Sequence, residues 1–392
     1  MILGLLLAFF QPAQAGDFIA SVGAEKTLGP GGGWVRVFPD AKSDGWHFLW
    51  AAGGDYSLLP MSADLEVEDF DRRNLTGRSD LVDHAITRCP SGGYLHVASA
   101  NKESHNDSAY AFRYDDDFNL VASASLEEAE SSRYHNDLPV LCSPLLDATA
   151  FMGTNHGSMY LSLIAEDATQ ADLIELPGSL PKTEGGSFWM DPVSEEIVVI
   201  GKSGEGSRFK VVGLDADYQV AWSSEFEPIS DSSLRPYWPQ ALLKVKDHFL
   251  LAFMARNDQD GWGSDWGNVF LAVLDSEFNH LETTPISNYS PPEGAQRPGL
   301  VRRGSQVLLT VDRNVQPQIF EIQLVPEAFG LEGSSETGGE WDTAAGGGSD
   351  GKDGGCGCAS GTAPSHGFWF SSILGVLLIR RRPIREAGSL RR

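Results

Sequence analysis

An internal repeat constrains the fold of this chain more than any other feature of its sequence. Six segments repeat one order of elements: a short apolar strand, a turn, a strongly apolar strand, a polar loop, and a third strand that often ends in an acidic turn. The third-strand turns are about 50 residues apart, with one longer interval, and fall at Asp64, Asp117, Ala168, Asp217 and Glu277. No segment shows a sustained helical period, so the repeat predicts an all-β domain.

A repeat of about 50 residues with four short strands is typical of a β-propeller blade. We therefore predict a six-bladed β-propeller over residues 16–330. The sixth segment lacks a fourth strand, so we expect residues 18–28 to pair with the strand around residues 318–324 and to close the ring. Such closure removes exposed sheet edges. A two-sheet sandwich is the alternative all-β fold, but it does not require six copies of one strand order.

The charge of the chain limits its partners. It has 392 residues and a formal net charge of −25. This acidity argues against nucleic acid as a partner and against charge-driven binding to anionic lipid. It favours solubility outside the cell and is compatible with divalent cations. Four cysteines are too few for a disulfide scaffold, and the predicted domain is long enough to bury a core without one.

Both ends of the chain carry signals for export and membrane retention. Residues 1–15 read as a signal peptide, with an apolar stretch followed by an A-x-A cleavage site that ends at Ala15. Residues 331–355 are rich in Gly, Ser and acidic side chains, which predicts a disordered linker. The apolar run 367–379 follows, and three arginines end it. As a helix it would be about 20 Å long, short for a hydrocarbon core of about 30 Å.

The order of a Gly-rich linker, the Cys356-Gly357-Cys358 sequence, a short hydrophobic helix and terminal arginines resembles the myxobacterial-type C-terminal sorting tag, MYXO-CTERM. The resemblance covers residues 354–382 within the predicted tail, 356–392. It implies processing at Cys356 or Cys358 by a membrane-embedded sorting peptidase. It also implies transient anchoring in the inner membrane and display at the cell surface or outer membrane. A plain C-terminal anchor helix is the alternative.

Two sets of loops are expected to form one face of the propeller: those that enter each blade and those between second and third strands. The candidate ligand-binding residues there are His84, His105, His135, His156, Arg235, Tyr237, Trp238 and Arg297. Histidine, arginine and aromatic side chains at one mouth suit a polar ligand, such as an anion or a sugar. The alternative is that these charged residues simply populate solvated loops.

Two metal sites can be considered on the same loops. The four histidines could bind zinc or copper, but they lie on different loops and no spacing rule connects them. Asp258, Asp260 and Asp265 resemble the acidic core of a calcium loop, although Arg256 stands where the first ligand should be. Calcium is therefore the one cofactor that the sequence suggests.

Cys89 and Cys142 occupy equivalent positions in consecutive repeats, just after the first strand of each. In an oxidising compartment they could form a disulfide between the second and third blades. The alternative is two separate buried thiols, because the first strands of neighbouring blades diverge and a disulfide needs Cα atoms within about 7 Å.

No nucleophile elbow, phosphate-binding loop or dinucleotide fingerprint is present in the sequence. The sequence therefore favours a binding or scaffolding module for an extracellular glycan, peptide or protein. The alternative is a secreted hydrolase or lyase that acts on glycan or peptide. In that case His84, His135 or His156 would be the acid or base, and Arg235 or Arg297 would hold an anionic group.

Overall fold

The computed structural model describes residues 16–331 and Trp341–Thr343. Gaps within the first range fall at 30–32, 41, 53–54, 68–72, 79–80, 90, 101–108, 127–139, 143–147, 156–157, 166, 179, 181–186, 191–195, 204–206, 258–265 and 315. The predicted signal peptide, most of the linker and the C-terminal tail lie outside the described residues. The described part is built from β-strands, with one short 3-10 helix at Pro326–Phe329.

Five four-stranded antiparallel sheets, here called blades 1 to 5, follow one another along the chain. In each, consecutive strands pair in a meander. Blade 1 contains β3 (Gly33–Pro39), β4 (Trp46–Ala52), β5 (Asp55–Met61) and β6 (Arg73–Asn74). Blade 2 contains β7 (Leu81–Arg88), β8 (Tyr94–Ala100), β9 (Ala109–Tyr114) and β10 (Leu120–Leu126). Blade 3 contains β11 (Val140–Cys142), β12 (Ala148–Asn155), β13 (Ser158–Ala165) and β14 (Gln170–Glu175).

The remaining two blades have the same form. Blade 4 contains β15 (Ser187–Met190), β16 (Ile197–Lys202), β17 (Phe209–Leu214) and β18 (Val220–Phe226). Blade 5 contains β19 (Arg235–Val245), β20 (His248–Arg256), β21 (Asn268–Asp275) and β22 (His280–Pro285). In all five blades, the turn between the first and second strands and the turn between the third and fourth strands therefore lie at the same end.

A six-stranded sheet, here called the closing sheet, joins the two ends of the domain. It contains β1 (Ile19–Val22), β2 (Lys26–Thr27), β23 (Ala295–Arg303), β24 (Gln306–Arg313), β25 (Gln316–Leu324) and β26 (Trp341–Thr343). The strand order is β1-β25-β24-β23-β26, and β2 also pairs with β25. The predicted pairing of the N-terminal stretch is confirmed, since Ile19 faces Leu324 and Lys26 faces Ile319.

The prediction of an all-β propeller is confirmed. The described strands give five four-stranded blades rather than the predicted six, because the last repeat lies in the wider closing sheet. β26 is a further difference, since it lies inside the stretch 331–355 that was predicted to be a disordered linker and pairs with β23. An edge strand leaves unpaired backbone donors and acceptors, so β23 can bind a segment with little strand propensity.

The acidic turns that revealed the repeat share one backbone geometry in all five blades. The fourth residue of each turn has a positive φ, between 58° and 66°. These residues are Leu65, Phe118, Ala168, Tyr218 and Phe278. In blade 2 the Asp115 carboxylate accepts backbone hydrogen bonds from Asp117 and Asn119, both 2.9 Å long. A carboxylate that accepts such bonds stabilises the turn, which explains why acidic residues recur there. Hydrogen bonding from Asn119 lowers the pKa of Asp115.

The hydrophobic core lies between successive sheets. Phe38 of blade 1 packs against Tyr94 of blade 2 with ring centroids 5.4 Å apart, and Phe209 of blade 4 packs against Phe253 of blade 5 at 5.2 Å. Apolar side chains on both faces of a middle strand can therefore be buried, which explains the strongly apolar second strands. Among the described residues, no helix is long and apolar enough to span a bilayer.

Candidate functional site

Six of the predicted ligand-binding and metal-binding residues lie outside the described residues: His105, His135, His156, Asp258, Asp260 and Asp265. The histidine metal site and the calcium loop therefore stay predictions. In the part of the chain that the structure describes, no group of three or more His, Cys, Asp or Glu side chains could hold a metal ion.

The sequence predicted His84 on an exposed loop, and this prediction is wrong. His84 lies on β7 and is fully buried, with its ring 4.3 Å from that of Tyr56 and 5.2 Å from that of His96. The pairing of β7 with β8 is irregular just before His84. Because one extra residue in a strand reverses the side-chain alternation, the bulge accounts for a histidine that points into the interior.

The other described candidates lie on the first strands of two neighbouring sheets. The pairing of β19 with β20 breaks after Tyr237, and that of β23 with β24 breaks after Gln296. The next residues, Trp238 and Arg297, have positive φ values of 49° and 56°. They therefore occupy equivalent positions on two strands that contact each other. Arg235 is exposed at the start of β19.

These residues are largely engaged in packing. Arg297 Nη1 lies 3.3 Å from Asp312 Oδ2, and the Asp312 side chain is fully buried. The backbone N–H of Val35 in blade 1 donates to the other Asp312 oxygen over 3.4 Å. Trp238 is buried, and Tyr237 lies beneath the guanidinium of Arg256. The arrangement links the closing sheet to blade 1 and offers little free polar surface.

Cys89 is disulfide-bonded. The side chain of Cys142 lies outside the described residues, so the pairing of Cys89 with Cys142 stays a prediction. The position is compatible with it, because β11, which ends at Cys142, contacts β7, and Cys89 directly follows β7.

A groove between blades 4 and 5 has the features of a binding site. Its volume is about 400 Å³. Blade 4 contributes Trp189, Glu196, Val198 and Trp222, and blade 5 contributes Lys244, Asp247, Phe249, Ser276, Glu277 and Phe278. The blade 5 residues surround the turn between β19 and β20 and the turn between β21 and β22. The groove therefore opens at the end opposite the predicted ligand face.

Aromatic rings line the groove without a break. Trp189 meets Phe249 edge-on at 5.2 Å, Phe249 stacks on Phe278 at 4.4 Å, and Phe278 lies 5.7 Å from Trp222. The first three are buried, whereas Trp222 is half-buried on the outer strand β18. The buried rings form a rigid floor, and Trp222 offers an accessible aromatic surface beside it.

Trp222 is held in place by two residues of its own blade. It faces Gly213 on β17, and its indole occupies the space that a Cβ at Gly213 would need. Its Nε1 donates a hydrogen bond to Glu196 Oε1 over 2.6 Å. The glycine lets the indole lie across the sheet, and the hydrogen bond fixes its rotation. Such preorganisation lowers the cost of ordering a side chain when a ligand binds.

Blades 2 and 5 lack this arrangement. The position of Trp222 is taken by Ala122 in blade 2 and by Glu282 in blade 5, as the strand registers show. Gly213 is likewise replaced by Arg113 in blade 2. Gly213 and Trp222 both depart from the repeat in blade 4. The blade fold does not require this pair, which indicates another role for it.

Charged side chains of both signs lie in the groove without compensation. Within the described residues, no ion pair or hydrogen bond engages the side-chain charges of Lys244, Asp247 and Glu277. The Lys244 ammonium lies 4.6 Å from the centre of the Trp189 ring. The Trp189 indole N–H is buried and has no acceptor within the same part of the chain. Asp247 and Glu277 are exposed to solvent, whereas buried polar groups such as the Trp189 N–H are normally satisfied, so a ligand that accepted its hydrogen bond would remove an energetic cost.

The groove was not predicted, because the candidate residues that the sequence offers lie in loops at the opposite end of the blades. One signal in the sequence could have indicated it. The turn around Tyr218 fixes the register of β17 and β18, and that register places a glycine within an apolar strand opposite a tryptophan. The second wall of the groove comes from blade 5, and the local pattern in blade 4 does not predict it.

No protein-family model matches the chain, and no curated protein sequence is significantly similar to it. Solved structures with a similar chain path include the hydrazine synthase of Kuenenia stuttgartiensis, at 12% identity over 79% of this chain and 78% of that one, with a TM-score of 0.43. A luciferin-regenerating enzyme has 8% identity over 77% and 95%, with a TM-score of 0.46. A subtype N10 neuraminidase-like protein of A/little yellow-shouldered bat/Guatemala/060/2010 has 10% identity over 77% and 98%, with a TM-score of 0.45.

Proposed function

We propose that this chain is a surface-displayed β-propeller that binds an extracellular ligand in the groove between blades 4 and 5. The observation that carries the proposal is the fixed Trp222 surface beside the uncompensated charges of Lys244, Asp247 and Glu277. Concave sites with aromatic walls and a few placed polar groups are the usual form of ligand sites. The groove is a better candidate than the predicted face, whose described residues are mostly occupied in packing.

We further propose that the closing sheet acts as a sixth blade. Its strands β23, β24 and β25 follow the same meander as the other blades, and the N-terminal strands take the place of the fourth strand. A ring closed by strands from both ends of a domain has no free sheet edge at the junction, which suits a protein exposed outside the cell.

The display part of the proposal depends on the two ends of the chain. Cleavage after Ala15 would release the protein from the export machinery, and a sorting peptidase acting at Cys356 or Cys358 would transfer it from the inner membrane to the surface. A chain with both Cys356→Ala and Cys358→Ala should remain full-length in the inner membrane. Normal surface display of that variant, measured by protease treatment of intact cells, would show that the tail is a plain anchor.

The binding part is tested with the protein purified after export. Soluble neutral and anionic polysaccharides and basic and acidic peptides are titrated against it by calorimetry. Any ligand of the groove should bind at least about tenfold more weakly to Trp222→Ala and Lys244→Ala. Matched controls outside the groove are Leu281→Ala, an exposed apolar residue on β22, and Lys210→Ala on β17. Equal affinity of groove and control variants for every ligand would exclude the groove.

The hydrolase or lyase alternative is not favoured by a specific observation. Of the histidines considered as its acid or base, His84 is the one that the structure describes, and its side chain is fully buried. A binding or scaffolding function needs no such group.

A further inference from the structure

We infer that the groove between blades 4 and 5 recognises a neutral saccharide. The inference rests on the proposed function and specifies its ligand. Three features support it: the flat shape of the aromatic surface, the presence of charged groups that can bind a ligand, and the occurrence of both positive and negative charges among them.

The aromatic surface suits a flat, partly apolar ligand. Trp222 presents a single indole face, because its other face lies against Gly213 and its N–H is already bonded to Glu196. A pyranose ring has an apolar face of C–H groups that can stack on such a surface. A cage for a cationic group would need several rings around one point, whereas the rings of Phe249 and Phe278 are buried beneath the groove.

The free charges suit a ligand that both donates and accepts hydrogen bonds. Asp247 and Glu277 can only accept, and Lys244 can only donate. A hydroxyl group does both, so a ligand with several hydroxyls can satisfy all three residues at once. A carboxylate or ammonium ion that hydrogen-bonds to a hydroxyl gives a stronger contact than a neutral pair does.

Charged ligands would each meet a repulsive group. An anionic polymer could pair with Lys244, but it would approach Glu196, Asp247 and Glu277 on a chain with a net charge of −25. A basic peptide could pair with the carboxylates, but Lys244 occupies the wall of the groove between the two blades, above the Trp189 ring. Like-charge contacts of this kind exclude ligands as effectively as favourable contacts select them.

The test is affinity electrophoresis of the exported protein in native gels that contain one polymer each. Neutral probes are a β-glucan, an α-glucan and a mannan; an anionic probe is polygalacturonate. Oligo-arginine is titrated separately by calorimetry. We expect at least one neutral polymer to retard the wild-type protein, with no retardation by polygalacturonate and no binding of oligo-arginine.

Four variants assign the retardation to the groove. Trp222→Ala should abolish it, Trp222→Phe should keep part of it because the stacking surface remains, and Leu281→Ala should leave it unchanged. Glu277→Gln should weaken it about tenfold or less, since the amide still accepts a hydrogen bond. Thermal unfolding of each variant shows that the fold is retained.

The other outcomes overturn the inference in distinguishable ways. Binding of oligo-arginine or polygalacturonate that depends on Trp222, without retardation by neutral polymers, would leave the groove as a binding site and reject the saccharide. Retardation by a neutral polymer that is equal in Trp222→Ala and Leu281→Ala would place saccharide binding elsewhere. Absence of binding to every probe would reject the saccharide and remove the main support for the proposed function.

Discussion

Gly213 and Trp222 face each other on adjacent strands of blade 4, and the indole fills the space beside the glycine Cα. Trp222 is fixed further by its 2.6 Å hydrogen bond to Glu196. The backbone φ of Gly213 is not positive, so the residue is required for the space it leaves and not for its conformational freedom. An aromatic side chain packed over a cross-strand glycine can also protect it from solvent and stabilise the pair.

Gly213→Ala should therefore displace Trp222 while leaving the strand intact. Overpacking of this kind costs about 1–3 kcal/mol, measured as a loss in the free energy of unfolding by denaturant titration. The near-UV circular dichroism of the tryptophans should change as well. In the Trp222→Ala background the same glycine substitution should cost much less, because the clash is gone. Equal costs in the two backgrounds would show that the indole can move aside freely.

His96 should make the propeller acid-sensitive. It is fully buried beside Tyr56 and His84, and its ring nitrogens have no hydrogen-bond partner among the described residues. Burial lowers its pKa from 6.5 to about 3. Below pH 6.5 the unfolded chain takes up a proton that the folded protein does not. Stability should therefore fall as the pH decreases from about 6.5 toward 3, by about 1.4 kcal/mol per pH unit at the steepest.

The variant His96→Phe tests this explanation. Above pH 7 its free energy of unfolding should differ from that of the wild type by a constant amount. At lower pH the wild type should lose stability that the variant keeps, so the difference should shift in favour of the variant. Carboxylates that also contribute to acid sensitivity, such as Asp115, are present in both proteins and cancel in the difference. A difference that does not change between pH 7 and pH 4.5 would mean that His96 is protonated or solvated in the folded protein.

The buried ion pair of Arg297 and Asp312 should be important for stability. Asp312→Ala removes the acceptor of both Arg297 and the Val35 backbone N–H and leaves a cation largely buried. Loss of one partner of a buried pair typically costs about 3–5 kcal/mol. The double variant Arg297→Met with Asp312→Leu should be less destabilised than Asp312→Ala in a thermal unfolding experiment. If the double variant is the less stable one, the ion pair itself stabilises the fold, and the cost of Asp312→Ala does not come only from the buried charge of Arg297.

The turns that follow the third strands made the fold predictable from the sequence. The acidic turns near Asp117, Asp217 and Glu277 were recognised because in blades 2, 4 and 5 the aspartate that begins the turn accepts hydrogen bonds from the turn backbone. A residue with a positive φ follows each of the three positions. The pairing of the N-terminal stretch was predicted because a repeat that lacks one strand needs a replacement. Both inferences rely on repetition, which a single sequence displays.

The site was not predicted because it does not repeat. Trp222 and Phe278 are distant in sequence and meet only because blade 4 lies beside blade 5. His84 was misplaced for a different reason, since a bulge of one residue reverses which side chains face the interior and the sequence does not mark it. Contacts between blades and local bulges are therefore what a repeat pattern leaves undetermined.

The N-terminal strands should be the part of the closing sheet that depends most on polar contacts. The Glu25 carboxylate accepts a hydrogen bond from the Tyr289 hydroxyl over 2.9 Å and pairs with Arg313 at 3.1 Å. Burial and the nearby Glu25 raise the pKa of Tyr289, so its hydroxyl keeps the proton that it donates. These contacts fix the segment between β1 and β2 to the loop before β23 and to the end of β24.

Glu25→Ala should loosen β1 and β2 without unfolding the blades. The Tyr289 hydroxyl loses its acceptor, and among the described residues Arg313 keeps the carboxylate of Glu293 and the ring of Tyr289, so the expected cost is about 1–3 kcal/mol. Hydrogen exchange measured by mass spectrometry should increase in the peptide that contains β25. Glu321→Ala is the matched control, because that exposed side chain on β25 bonds only to Gln306 among the described residues. Wild-type exchange in Glu25→Ala would show that backbone pairing alone holds the N-terminal strands.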